Sequence, residues 1–361
     1  MTDNEVVFGM HLPQSGPLGV LVGKGWHAAD AYFRSVNDAG GIHGRRIRFV
    51  VVDDGYSAQK AAGAIRDLVD NKKVFAASCF VGVDQCVVGL EYANAKGVPY
   101  IHAGMRESIV EQAPWAVPVT GSYPYLSERL VDYLFTRRAY TRERKIAALH
   151  LNSANFDESV EAFERRLAHY GAKVAVKSPV EKDQSDFSAA ITKMQSAGVD
   201  TVWLAIDPTL IAKFASQAKL LRFQPQYVCW TLCGDLTAQA TGGNLDGAYG
   251  LSPVADPDWN GAGMTRFKET FKRSYPDEEP GEFDAFAYVE AQAFVEGLRR
   301  AGPDLGRDAF ARGLATIDLL DTGVSSPISY AKRSRTAAAN SALAVLEIHG
   351  TEADQIGGFD F

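Results

Sequence analysis

The residues whose types and spacing could do chemistry gather first near the amino terminus. The run Gly16-Pro17-Leu18-Gly19-Val20-Leu21-Val22-Gly23-Lys24-Gly25 is a glycine-rich stretch of the kind that turns backbone N–H groups toward an anion ahead of a helix. A phosphate loop needs Gly five residues before the Gly-Lys pair and Ser or Thr after the lysine; Leu18 and Gly25 stand there instead. No Gly-x-Gly-x-x-Gly follows the first predicted strand, so a dinucleotide fingerprint is missing as well. Ser15 precedes Gly16 but has Pro13 two residues before it, so it is not the serine of a nucleophile elbow. Asp53-Asp54 closes a predicted strand and could supply paired acids for general acid–base work. Carboxylates at a strand end more commonly bond loop amides or cap the next helix, and that is the role expected here.

Metal and thiol chemistry find little support. The seven histidines are scattered without a His-Glu-x-x-His pairing. The four cysteines form two close pairs, Cys79 with Cys86 and Cys229 with Cys233, neither at zinc-ligand spacing. A bridge within each pair, a cross-pair bridge and four reduced thiols are all open; reduced, buried core thiols are the favoured reading, free Cys being among the most buried residue types. No catalytic residue, metal or cofactor is assigned. Basic runs at Arg45-Arg46, at Arg137-Arg138 through Lys145, and at Lys332-Arg333 with Arg335 read as solvated surface in an acidic protein, with a protein-docking face as the sharper alternative.

Composition narrows the field further. The chain has 361 residues, of which 46% are hydrophobic and 22% charged, the balance of an ordinary globular protein. At about 100–200 residues per domain, that length predicts two domains. A net charge of −7 is the wrong sign for a chain living on phosphate backbones, so nucleic acid is not an expected partner. No apolar run reaches the ~20 residues of a membrane-spanning helix, so membrane insertion is not expected. The opening Met1-Thr2-Asp3-Asn4-Glu5 lacks the basic and apolar regions of a signal peptide, which fits either a cytosolic protein or a mature exported chain whose signal has been replaced by a methionine.

These residues must be positioned by alternating strands and helices. Apolar runs at Val6–Met10, Arg48–Val52, Val74–Phe80 and Tyr100–Ala103 read as strands. Helices are predicted from Trp26 to Val36, Ala58 to Val69 and Cys86 to Ala95. After a Pro-rich patch from Pro114 to Pro124 the rhythm restarts. Lys145–His150 is a strand, and Phe156, Val160, Phe163, Leu167 and Tyr170 recur at helical spacing. Strands at Val174–Val176, Thr201–Ile206 and Tyr227–Thr231 then alternate with helices Phe187–Ala197 and Thr209–Leu221. Helical segments at Met264–Tyr275, Phe283–Ala301 and Arg307–Ala315 come too late for the second rhythm, and read as the chain returning to complete the first domain before a last strand, Leu343–His349. The fold class is α/β, two doubly wound lobes.

Nearly the whole chain resembles the type I periplasmic binding proteins of ABC transporters, in their branched-chain amino acid and amide-binding branch. The likeness is densest over Phe8-Gly9-Met10 to Ser15-Gly16-Pro17, Gly25 to Asp30, Asn37-Asp38-Ala39-Gly40-Gly41-Ile42-His43-Gly44-Arg45, and Val52-Asp53-Asp54-Gly55. Gly97-Val98-Pro99-Tyr100-Ile101, Asp186-Phe187-Ser188 and Ala197-Gly198-Val199-Asp200 add later matches. The resemblance implies Rossmann-like lobes joined by a hinge of three crossings, with residues 1–120 and 248–328 in one lobe, 121–247 and 329–361 in the other, and ligand in the cleft between them. Shifting such lobes from 1:99 open to 99:1 closed takes roughly 5.5 kcal/mol of differential affinity.

By position, the family's ligand loop after the third strand falls on Val81-Gly82-Val83-Asp84, where its usual serines are missing. Its second contact loop falls on Ala103-Gly104-Met105-Arg106, placing Arg106 where a neutral hydroxyl is usual. The second-lobe tyrosine aligns with Phe156, which cannot donate a hydrogen bond. The candidate ligand residues are Ser15, Phe80, Gly82, Val83, Gly104, Arg106, Tyr123, Phe156, Asp207 and Trp230. Arg106 offers bidentate pairing to a carboxylate, and Phe80, Tyr123, Phe156 and Trp230 offer aromatic walls. The expectation is an extracytoplasmic receptor that captures an organic acid with an apolar or aromatic body and delivers it to a membrane permease. Branched-chain amino acid or amide binding in the same role, a cytosolic ligand-sensing regulator of the same fold, and, more remotely, a dehydrogenase are the alternatives.

Overall fold

A computed structural model describes residues 2, 4–79, 81–231, 233–331 and 342–359. The predicted contact residue Phe80 and the basic run Lys332-Arg333-Arg335 lie outside the described residues. The chain forms two compact units, Met1–Ser122 with Trp259–Ser341, and Tyr123–Asp258 with Ala342–Phe361.

In the first unit, strands β1 (Glu5–Leu12), β2 (Arg46–Asp53), β3 (Ala76–Cys79), β4 (Tyr100–His102) and β5 (Ala116–Pro118) alternate with helices α1 (Gly16–Val22), α2 (His27–Asp38), α3 (Ala58–Arg66), α4 (Val83–Ala95) and α5 (Glu107–Glu111). The strands pair in the order β2-β1-β3-β4-β5, all parallel. Parallel neighbours need a crossover, and the helices supply it. The register sets Cys79 beside His102, so the loops leaving β3 and β4 start side by side at the carboxyl edge of the sheet.

The second unit opens on α6 (Tyr123–Arg137) and continues β6 (Ile146–Leu151), α7 (Asp157–His169), β7 (Val174–Val180), α8 (Ser188–Ser196), β8 (Thr201–Ala205), α9 (Pro208–Leu220), β9 (Gln226–Cys229), α10 (Asp235–Thr241) and β10 (Tyr249–Ser252). The chain then returns to the first unit for α11 (Ala262–Ser274), α12 (Glu282–Ala301) and α13 (Arg307–Ala315). It ends in the second unit with β11 (Ala344–His349) and β12 (Glu352–Gln355), giving the order β12-β11-β10-β9-β8-β6-β7. β11 runs antiparallel to both of its neighbours.

The crossing points differ from those expected at 247 and 328. β10 bonds to β9 and β11, which keeps the chain in the second unit through Asp258. The amides of Tyr330 and Ala331 both donate to the Ile317 carbonyl, which keeps the chain in the first unit past 328.

The returning helix α12 seals the first unit's aromatic core. Phe294 packs on Phe8 of β1 at 4.6 Å between ring centroids, and Phe33 of α2 meets Phe8 edge-on at 5.3 Å. Phe8, Phe33 and Phe294 are all fully buried. In the second unit Phe163 of α7 stacks on Trp203 of β8 at 4.0 Å, both buried. Such pairs add about 0.5–1.5 kcal/mol beyond their buried area.

The cysteines depart from the expectation of four reduced thiols. Cys79 is bonded to Cys86, and Cys229 to Cys233. Each pair runs from the last residue of a strand to the start of the next helix, where the Cα atoms lie 5.4 and 5.7 Å apart, within disulfide reach.

Candidate ligand-binding site

The candidate residues collect at the carboxyl ends of each sheet, the edge where open α/β sheets bind ligands. In the first unit Asp53 ties two of the loops together. Its Oδ1 accepts from the amides of Gln14 at 2.8 Å, Ser15 at 3.3 Å and Gly55 at 2.8 Å. Burial pulls its pKa up, but the Ser15 hydroxyl and these amides outweigh burial and hold the carboxyl below its ordinary range. Asp54, fully buried, accepts from His11 Nδ1 at 2.9 Å and from the Tyr56 amide at 3.0 Å. The pair therefore bonds loop amides, as expected of acids at a strand end. Ser15 stands at the N-cap of α1 without a side-chain cap bond.

After β3, Gly82 is the N-cap of α4 with φ 99°, a conformation that favours glycine. A Cβ there would lie 2.4 Å from Gln85 Oε1 and 3.2 Å from the Tyr56 ring. Val83 begins the helix. Gln85 was not foreseen: it is fully buried, and neither its Oε1 nor its Nε2 has a hydrogen-bond partner. A glutamine in the first turn of a helix reads as surface, so its burial emerges only from the fold.

After β4, Gly104 and Met105 lead to Arg106, the N-cap of α5. Arg106 Nε is buried without a hydrogen-bond partner. The adjacent Glu107 instead accepts from the Ser122 hydroxyl at 2.6 Å. On α12, Glu290 is fully buried, and burial drives its pKa well above the carboxylate range against the opposing pull of the Ser78 hydroxyl and Ala103 amide. Sequence reading had no signal for Glu290 either.

In the second unit three of the predicted residues meet. Tyr123 opens α6, Phe156 is the N-cap of α7 and Trp230 follows β9. Trp230 meets Tyr123 edge-on at 4.6 Å and Phe156 edge-on at 4.8 Å, and Tyr123 lies 6.0 Å from Phe156. Phe156 is 1% exposed, so it backs the cluster rather than fronting it. Trp230 Nε1 is a buried N–H without an acceptor. Asp207 is otherwise engaged: its Oδ1 accepts from the amides of Thr209 and Leu210 and from the Thr209 hydroxyl, capping α9.

Among the described residues, one trio could bring three metal donors together: His11, Asp54 and Cys79. The Cys79 sulfur is in a disulfide, and His11 is bonded through both ring nitrogens to Asp54 and Tyr100.

Comparison with known families decides the matter of kinship, since a model described as "Periplasmic binding protein" matches residues 5–353. The chain belongs to the periplasmic binding protein family. These are extracytoplasmic receptors that bind small solutes for ABC transporters. The chain is 24% identical over 305 residues to Leu/Ile/Val-binding protein homolog 1 of Brucella suis, covering 82% of this chain and 79% of that one. Solved structures carry the same fold. A fatty acid ABC transporter substrate-binding protein from Thermomonospora curvata superposes with TM-score 0.87 at 18% identity, covering 99% of this chain and 92% of that one. A branched-chain amino acid ABC transporter protein from Thermus thermophilus with bound valine gives 0.84 at 17% identity, covering 98% and 96%. A solute-binding protein from R. palustris in complex with benzoate gives 0.81 at 18%, covering 98% and 96%. Among the described residues of this periplasmic binding protein, no helix is long and apolar enough to cross a membrane.

Proposed function

We propose that the protein captures a small organic carboxylate with an apolar or aromatic body and presents it to the permease of an ABC importer. The observation that carries this reading is Arg106, whose buried Nε lacks a partner at the carboxyl edge of the first sheet. A buried N–H left unpaired is costly, and a ligand carboxylate is the bidentate complement of a guanidinium. An amino acid would also need an acceptor for its ammonium. Asp207, the one carboxylate among the candidate residues, is spent on a helix cap. Tyr123 and Trp230 supply apolar surface for the ligand body, and Trp230 Nε1 supplies one more donor. In this reading the ligand meets the residues at the carboxyl edges of the sheets.

The names of two structural neighbours, one a fatty acid receptor and one a benzoate complex, agree with such a ligand. A branched-chain amino acid is the second reading, favoured by the Leu/Ile/Val-binding relatives and the valine-bound structure. Two disulfides support residence in an oxidising, extracytoplasmic compartment over a cytosolic regulator.

A thermal-shift panel of benzoate, octanoate, leucine, valine and short amides tests the proposal. A ligand at 100 times its Kd adds about 2.7 kcal/mol, a shift of several degrees for units of this size. Stabilisation by benzoate or octanoate and not by leucine is expected. Stabilisation by leucine or valine alone would overturn the carboxylate reading.

A further inference from the structure

The two disulfides occupy the same place in both units. Cys79 is the last residue of β3 and Cys86 lies in the first turn of α4; Cys229 is the last residue of β9 and Cys233 stands two residues before α10. The rings they close hold Gly82 and Val83 in one unit and Trp230 in the other. All four cysteines are buried.

Stabilisation through the unfolded chain grows with the length of loop a disulfide closes, and these bridges span only 7 and 4 residues. Their work is therefore local. The helices that follow lack the usual alternative. The N-caps of α4 and α10 are Gly82 and Gly234, and neither helix start has a side-chain cap bond. By contrast α3 is capped by Ser57 and α9 by Asp207, and no disulfide adjoins either.

We propose that each disulfide is a positioning device for ligand binding, fixing the loop that leaves its strand in the conformation the ligand meets. Cys79–Cys86 sets Gly82 and Val83, and Cys229–Cys233 sets the Trp230 ring. This proposal rests on the ligand site proposed above. A loop fixed in advance loses less conformational freedom on binding, so the bridges act on affinity more than on global stability.

The test removes the bridges separately in the full chain, as Cys79→Ala with Cys86→Ala and as Cys229→Ala with Cys233→Ala. Hydrogen–deuterium exchange without ligand is followed across 79–86 and 229–235, and the Kd for benzoate, octanoate and leucine is measured by calorimetry. Expected are amide exchange about tenfold or more faster inside the opened ring, strands β3 and β9 unchanged, and at least about tenfold weaker binding of whichever probe the unaltered chain binds. Unchanged exchange inside the ring, or faster exchange with unchanged Kd, overturns the proposal. Absence of binding to the unaltered chain counts against the ligand reading alone, and the exchange comparison still decides whether the bridges hold the loops. Should one pair of substitutions prevent folding, the other pair decides.

Discussion

His11 and Tyr100, 89 positions apart in the chain, meet in a 2.7 Å hydrogen bond between imidazole Nε2 and phenol oxygen, both side chains fully buried. Burial, then the nearby Glu290 and Asp54, drives the Tyr100 pKa well above its ordinary value, so the phenol keeps its proton and donates. The other ring nitrogen then carries the hydrogen that His11 gives to Asp54. This chain of bonds links β4, β1 and the loop after β2. Tyr100→Phe leaves His11 Nε2 without its donor and should destabilise that unit by about 1–3 kcal/mol in urea unfolding.

Gly89 makes the same pair possible from the α4 side. A Cβ on it would lie 2.1 Å from the Tyr100 oxygen and 2.6 Å from His11 Nε2. Gly89→Ala gains about 1 kcal/mol of helix propensity but overpacks a buried hydrogen bond, a cost of about 1–3 kcal/mol. A net loss of stability is expected, and it should not add to that of Tyr100→Phe, because the two changes disturb one bond. A stabilised G89A protein would contradict the geometry.

Arg106→Ala should abolish carboxylate binding without lowering the stability of the free protein by more than about 0.5 kcal/mol, since Nε makes no protein hydrogen bond to lose. Arg106→Lys keeps the charge but not the planar fork, and should recover only part of the affinity. Calorimetry with benzoate and octanoate separates the variants.

Trp230→Phe keeps an aromatic ring against Tyr123 and Phe156 but removes the unpaired N–H. The free protein should lose little stability, since no protein hydrogen bond is broken. Ligand affinity should fall by about 1.5–3 kcal/mol, roughly 10–150-fold, with Nε1 donating to the ligand carboxylate. Equal affinity would remove Trp230 Nε1 from the donor set.

Asp256, 2% exposed, follows β10 and has one buried carboxylate oxygen without a partner. Burial, then the negative charges of Asp235, Asp258 and Asp354, against the Asp258 amide, pushes its pKa up to about 6. A raised acid binds its proton more tightly when folded, so its contribution is full below about pH 4 and is lost as pH rises through 6. Asp256→Asn mimics the protonated form. It should stabilise the second unit by up to about 3 kcal/mol at pH 8, and change little at pH 4. Melts across that range check the sign.

Much of the scaffold could be read from periodicity, because most strands are short apolar runs bounded by Gly and Pro, and the long helices bury one stripe. Arg307–Ala315 is read to the residue. What escaped had local chemistry pointing the other way. α1 contains two glycines and a proline; Gly19 belongs there because a Cβ would lie 2.7 Å from the Gln14 carbonyl carbon. α6 hid behind a proline patch, yet Pro124 sits in its first turn, where proline fits a helix. At the site, Tyr123, Phe156 and Trp230 were singled out through the family resemblance, and the fold brings their three rings together. Gln85 and Glu290 were not, since a polar residue on a helix reads as solvent-facing and the burial of each emerges only from the fold.

The return of the chain to each unit governs the order of events during synthesis. A nascent chain that has reached Asp258 holds every strand of the first sheet, yet still lacks α12 and the Phe294 ring that covers Phe8. The second sheet at that point still exposes β10 along the edge that β11 will occupy. Neither unit can complete its core until the returning segments have been made. Completion of each unit thereby waits on contacts distant in sequence, which are slow to form.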